Sequence, residues 1–267
     1  MLGFLYYHYR ACAAVGFFTL FGASLCWDLH PLIYFFWGIY FVLIYSLASR
    51  YSDQVTKAYT ENCDPEPYLE MGLWGVRRFQ KARSTRGRTA LTNSRLYASS
   101  ALGGLGRYEE ALEQLDAVDR SALSPYSRFI YWHDRFSVLL RLGQPPTELT
   151  RLLALAQDGL TDTNFPSSQR HTAEWSLEYD RFLLHAREEG PSWTDLVRLR
   201  QGLSLVTTEL ERVHGHFILA TSLLDLGDAS AAREHLNYVV AHGNKLYVRT
   251  RAQELLDKLN AEEASSL

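Results

Sequence analysis

LGRYEEALEQLDAV, Leu105 to Val118, decides how this chain is read. Gly106 is followed at +2, +5, +9 and +12 by Tyr108, Ala111, Leu115 and Val118. The stretch from Asp225, DLGDASAAREHLNYV, repeats those offsets with Gly227, Ala229, Ala232, Leu236 and Val239. A third Leu-Gly pair, Leu142-Gly143, follows YWHDRFSVLLR, and after one inserted residue Leu149, Leu153 and Ala156 take the matching places. Two antiparallel helices joined by a short turn need a residue that tolerates a left-handed backbone at the end of the first, and glycine supplies it. A small alanine five residues on lets the two backbones approach. The later Leu and Val bury against the next hairpin. A helical hairpin that recurs because it cannot bury its faces alone is the mark of a solenoid.

The glycines lie 37 and 84 residues apart, so the longer interval has room for one more pair. Ser167 to Leu203 supplies it, with helical patterns on either side of Gly190-Pro191. Lys245 to Leu259 (KLYVRTRAQELLDKL) reads as an amphipathic capping helix, and the tail from Ala261 as frayed. Upstream, Asp64 caps a helix with Pro65 in its first turn. That helix is expected to reach about Ala82, with Arg83–Thr89 (RSTRGRT) as a loop.

These residues resemble the tetratricopeptide repeat family. The resemblance rests on Leu105, Gly106, Tyr108, Ala111, Leu115 and Val118, on Leu226, Gly227, Ala229, Ala232, Leu236 and Val239, and on Trp132, Leu139, Leu142 and Gly143 of the middle unit. The small residue of the first helix is Ser99 in one unit and Ala220 in another, but Phe136 in the third. The proline that ends the second helix is missing after the first and last units or displaced to Pro125. The resemblance implies a concave groove, lined by the first helix of each unit, that holds a peptide or a partner's helix. Carried over by spacing, the groove residues are Asn93, Leu96, Ser100, His133, Ser137, His214, Phe217 and Thr221. Replacing Asn93 or Phe217 is expected to weaken partner capture and leave folding intact. The family's carboxylate clamp is matched only at Asn93 and is not expected.

The start of the chain has a different solvent. Arg10 and Asp28 are the only charged side chains in residues 1–49. Ala11–Trp27 is 17 uncharged residues and Pro31–Ser49 is 19, linked by a turn in which Asp28 can cap and Pro31 opens the second helix. As helices they reach roughly 25 and 28 Å, against a hydrocarbon core of about 30 Å. A cleaved signal peptide fits the first stretch poorly, because Cys26-Trp27-Asp28 is a poor cleavage site and a second apolar run follows at once. A buried pair of soluble helices is the other reading. A transmembrane hairpin is preferred. Arg10 before it and Arg50, Lys57 and the basic residues beyond place both ends in the cytoplasm.

No motif carries chemistry. Cys12, Cys26 and Cys63 form no disulfide framework or metal spacing. His214 and His216 are two apart and face different sides of a helix. A nucleophile elbow, a P-loop and a dinucleotide fingerprint are all missing. Neither enzymatic activity, nor a cofactor, nor a metal is expected. One charge feature stands out: from Met71 to Arg95 there is no Asp or Glu, but there are Arg77, Arg78, Lys81, Arg83, Arg86, Arg88 and Arg95. The rest of the array, 96–267, holds 17 basic and 24 acidic residues. Arg77 to Arg88 are therefore candidates for contact with anionic lipid or an acidic partner. Nucleic acid is not expected, since no aromatic interleaving accompanies the patch.

The expected fold class is all-α: two N-terminal transmembrane helices (1–50), a juxtamembrane segment with a basic loop (51–91), an α-solenoid of helical hairpins with a capping helix (92–260), and a tail (261–267). The expected function is that of a cytoplasmic scaffold anchored in the cell membrane, with other proteins and membrane lipids as partners. The alternative is a structural subunit of a membrane transport or secretion complex. In that case the hairpin, with Gly16, Gly22, Ala23, Ser24 and Gly38, packs against partner helices.

Overall fold

The computed structural model describes residues 15, 16, 19 and 30–266. Among them the protein is all-α, with eleven helices and no strand. The chain divides into two compact units, Met1–Lys57 and Ala58–Leu267.

The first unit is described chiefly through α1, His30–Thr60, whose last three residues belong to the second unit. The apolar stretch runs without a break into a charged one holding Arg50, Asp53 and Lys57. Most of Ala11–Trp27, the first expected span, lies outside the described residues. Among the described residues no helix is long and apolar enough to cross a membrane. Pro31–Ser49, at about 1.5 Å per residue, falls just short of a typical hydrocarbon core.

The second unit is a succession of helical hairpins. Helix α2, Glu66–Phe79, begins where Asp64 Oδ1 accepts the Glu66 N–H at 3.1 Å. Helix α3 is Thr85–Gly104 and α4 is Tyr108–Asp116. The expected loop from Arg83 to Thr89 is instead mostly the start of α3, because Ser84 caps it by accepting the Gly87 N–H. Helices α5 (Pro125–Arg141), α6 (Pro146–Thr161), α7 (Ser167–Glu189) and α8 (Trp193–Leu203) follow. Helices α9 (Glu209–Asp225) and α10 (Ala229–His242) form the last hairpin, and α11 (Tyr247–Ser266) closes the chain. Thr208 and Glu211 make a reciprocal capping box at the start of α9.

The three Leu-Gly turns are built alike. Gly106, Gly143 and Gly227 have φ of +75°, +77° and +83°. In each, the glycine N–H bonds three residues back and the next N–H bonds five back, to Leu102, Leu139 and Leu223. That paired closure needs a left-handed residue at the glycine position. Gly190 also has a positive φ, +83°, but its N–H bonds four back to Ala186 and its ψ of 157° is extended. The fourth hairpin is thus closed by a different turn. At the shared offsets beyond +2, Ala111, Leu115, Leu149, Ala232, Leu236 and Val239 are all fully buried, whereas at +2 Tyr108 is half-buried and Ala229 exposed. Ser99, Phe136 and Ala220 of the first helices are also buried, at 1% exposure or less.

Burial proceeds along the array in overlapping clusters. Leu69, Leu96, Leu102, Leu115 and Tyr131 join α2 to α5. Phe129, Phe136, Leu149, Leu177 and Leu184 join α5 to α7. Leu196, Leu199, Leu219 and Ala232 join α8 to α10. A last cluster joins the two ends: Tyr59 and Cys63, just before α2, pack with Val213, Phe217, Leu236, Leu246 and Leu256. Backbone and side-chain bonds reinforce this closure. The Lys245 N–H donates to Cys63 O at 3.3 Å and Asn244 Nδ2 to Asn62 O at 2.8 Å, while Lys245 Nζ pairs with Asp64 at 3.0 Å and with Glu66. Tyr247 lies edge-on to Tyr108, beside the Gly106 turn. The second unit is therefore joined end to end, its last hairpin resting on its first.

Candidate functional site

The eight groove candidates fall into three groups. Asn93, Ser100 and His133 each make a polar contact that ties one first helix to the next. Ser127 Oγ on α5 donates to Asn93 Oδ1 on α3 at 3.2 Å. Ser100 Oγ on α3 donates to Asp134 Oδ2 on α5 at 2.5 Å, and the Ser100 carbonyl accepts from Tyr59 OH at 2.9 Å. His133 Nδ1 on α5 faces Asp180 Oδ2 on α7 at 2.6 Å, with its ring stacked on Phe129. Ser137, His214 and Thr221 are half-buried. The His214 Nδ1–H donates to Leu210 O at 3.0 Å and Thr221 Oγ1 to Ile218 O at 3.1 Å, each within its own helix.

Leu96 and Phe217 form the third group, and here the expectation is corrected. They are 3% and 7% exposed and belong to the apolar clusters. The physical reason is that the chain covers them itself: Leu69 of α2 shares a cluster with Leu96, and Tyr59 and Cys63 share one with Phe217. A substitution at Phe217 removes packing, so it does not leave folding intact.

The buried members of these contacts have a distinctive charge state. Burial pushes the Asp134 carboxyl up to about 6, against the pull of His133 and the Ser100 hydroxyl. Burial pulls the His133 imidazole down, but the Asp180 carboxylate facing it overrides this and lifts it to about 9. Burial raises Asp180 as well. The pair therefore holds a proton between Nδ1 and Oδ2 across neutral pH. Asp180 is completely buried and its second oxygen has no hydrogen-bond partner. His214, with no carboxylate beside it, is lowered to about 4 by burial. Cys63 is a free thiol at 0% exposure, pushed up to about 12 chiefly by burial, and so is a poor nucleophile.

Reading by spacing missed Asp134, Asp180 and Tyr59. For Asp180 a signal was present: the buried face of α7 runs Ala173, Leu177, Asp180, Leu184, so a carboxylate occupies a core position of the helical period. An open cleft lies elsewhere. A cleft of about 510 Å³ lies between α6, α7 and the loop before α9, with Leu160, His171, Trp175, Arg181, Leu205 and Glu211 on its walls. None of the eight groove candidates lines it. Leu205, on the loop, is 59% exposed.

Arg77, Arg78, Lys81, Arg83, Arg86 and Arg88 gather where α2 ends and α3 begins, and all are exposed. Arg88 is engaged, bonding Asp119 and the Ser121 hydroxyl. Among the described residues no group of three or more His, Cys, Asp or Glu could hold a metal ion. No family model, curated protein or solved structure matches the chain.

Proposed function

We propose that the protein is a scaffold of the tetratricopeptide type, held at the cell membrane by its apolar N-terminal segment, whose cytoplasmic helical array recruits other proteins. The observation that carries the scaffold reading is the shared closure of three hairpins by glycines with φ of +75° to +83°. Identical turns with buried Ala and Leu at fixed offsets build an α-solenoid, whose extended surface suits protein recognition. The membrane reading is supported by α1. Phe35, Phe36, Ile39, Phe41, Val42, Leu43 and Tyr45 are all 46% exposed or more. At about 100° per residue they spread over roughly 220° of the helix, too wide for the single apolar stripe of a water-facing helix.

The place we assign to a partner is the cleft beside Leu205. Leu160, Trp175, Leu177, Leu205 and Val206 offer apolar contact, and Arg170, Glu174, Glu178, Arg181 and Glu211 offer charged groups that could orient a partner. The test is a photo-crosslinking amino acid at Leu205, beside one at exposed Asp257, in the full chain in its native membrane. A defined set of proteins captured only from position 205 supports the reading. Capture that is equal from both positions, or absent from 205, refutes it. The same exposed apolar side chains favour the second reading, a structural subunit of a transport or secretion complex whose apolar helices pack with partner helices. Deleting residues 1–49 separates the two: partners retained after deletion belong to the array, and partners lost belong to the hairpin.

A further inference from the structure

We propose that the corner between α2 and α3 is a contact surface for anionic lipid headgroups. The inference rests on the membrane reading above and adds the lipid class and the residues that meet it.

The first observation is an imbalance of partners. Elsewhere on the second unit several cations pair with a carboxylate, Arg107 with Glu110, Arg135 with Asp116, Arg151 with Glu148, Arg181 with Glu178 and Arg251 with Glu254, although Arg120, Arg141, Arg198 and Arg200 are exposed and make no ion pair among the described residues. Arg77, Arg78, Lys81, Arg83 and Arg86 are exposed, and no carboxylate lies within ion-pair distance of any of them among the described residues. The sequence offers none nearby, since no Asp or Glu occurs between Glu70 and Glu109.

The second observation is a helix end of the wrong sign. Arg77 and Arg78 close α2, where cations suit the negative pole of the helix. Arg86 and Arg88 sit in the first turn of α3, where the pole is positive and no acid is present. Cations there are unfavourable. Arg88 recovers this through Asp119, whereas Arg86 has no local compensation. An external anion would supply it for Arg86.

The third observation is the close packing of the two helices that flank the corner. Helices α2 and α3 approach so closely that a Cβ on Gly72 would lie 2.7 Å from the Ala98 backbone nitrogen. Arg77 and Arg78 end the first of this pair, Arg86 opens the second, and Lys81 and Arg83 lie on the segment that joins them. A lipid surface is favoured over nucleic acid because no aromatic side chain in 77–88 is exposed for base stacking. It is favoured over an acidic protein because the same chain carries uncharged runs of 17 and 19 residues that call for an apolar solvent.

The full chain is placed in nanodiscs of phosphatidylcholine alone or enriched in phosphatidylserine. Cys12 and Cys26 are replaced by Ser, a donor fluorophore is attached at Gln80→Cys, and headgroup-linked acceptors report contact; Cys63 is buried and does not label. Transfer is expected to rise in the anionic discs and to fall with added salt. Each basic residue near the surface is worth about fivefold in the contact equilibrium, so Arg78→Gln with Lys81→Gln should cut the anionic preference about 25-fold. Equal transfer in both lipids overturns the proposal. A preference that survives the double substitution overturns it too, by placing the contact elsewhere. Polyglutamate binding at the corner without any lipid preference assigns it to an acidic protein and likewise overturns it. Failure to incorporate into neutral discs refutes the membrane reading instead, and headgroup preference is then read by vesicle sedimentation.

Discussion

Gly106→Ala tests the end-to-end closure of the second unit directly. Gly106, Gly143 and Gly227 share one turn geometry, with φ between +75° and +83°. Alanine at any of them costs about 1–2 kcal/mol for the left-handed backbone. At Gly143 and Gly227 an added Cβ meets nothing within 4 Å, so those two substitutions read the backbone alone. At Gly106 the Cβ would lie 2.6 Å from Cγ and Cδ2 of Tyr247 and 3.0 Å from its Cβ. These atoms are at the root of the side chain, so turning the ring cannot clear them and the cap helix must shift. Overpacking of this kind adds about 1–3 kcal/mol. Gly106→Ala should therefore cost about 2–5 kcal/mol. In a Tyr247→Ala background the steric part disappears and the cost falls to that of Gly143→Ala. Urea denaturation of the full chain followed by far-UV circular dichroism measures all five variants of the comparison. If Gly106→Ala matches Gly143→Ala within about 0.5 kcal/mol, or if Tyr247→Ala leaves its cost unchanged, the closing helix does not rest on the Gly106 turn.

Leu96→Ala and Phe217→Ala should each destabilise by about 2–5 kcal/mol in the same denaturation assay, whereas Asn93→Ala should cost about 1 kcal/mol or less; equal effects would mean the apolar pair lies on an open surface. Asp180→Asn leaves His133 buried without its counter-charge, so the His133 imidazole should fall from about 9 to below its ordinary range by NMR titration, and an unchanged value would exclude the pairing. Below neutrality two histidines govern stability: His214 and His216 are lowered to about 4, chiefly by burial, so the stability they contribute is full above about 6.5 and is lost as pH falls toward 4. Asp134, raised to about 6, and Asp180, raised by burial, work the other way, while His235, lowered by burial, adds to the two histidines. A melting profile flat from pH 7 to 4 would contradict this. On the alkaline side, the His133 contribution is present below about 6.5 and lost as pH rises through about 9, an effect that Asp180→Asn should abolish.

The hairpins were legible because their causes are local. A left-handed glycine, a small residue five positions on and Leu at the next turns act within about fifteen residues, and periodicity records them. The turn at Gly190 was legible as a break but not as a different closure, since glycine permits both and only the backbone hydrogen bonds distinguish them. The start of α3 was misread because RSTRGRT is rich in charge and lacks periodicity, while its Ser84 cap acts through a single bond. For the candidate site, residue types at spacing found Asn93, Ser100 and His133 but not their partners. Asp134 and Asp180 lie 34 and 47 residues from Ser100 and His133. Nothing in a local pattern states which helix faces which across that separation.

By itself, then, the sequence determined an all-α chain, the places where helices turn, the side each helix buries and the acid-free basic stretch. The three-dimensional packing decided what those faces meet. Leu96 and Phe217 carry the spacing of groove residues, yet the segment from Tyr59 to Leu69 covers them. Lys245 reaches Asp64 and Glu66 across some 180 positions of chain. The reason is physical: helical periodicity fixes a direction for each side chain relative to its own axis. Whether that direction leads to solvent, a partner or the chain's own first turn depends on the angles summed over every hairpin between.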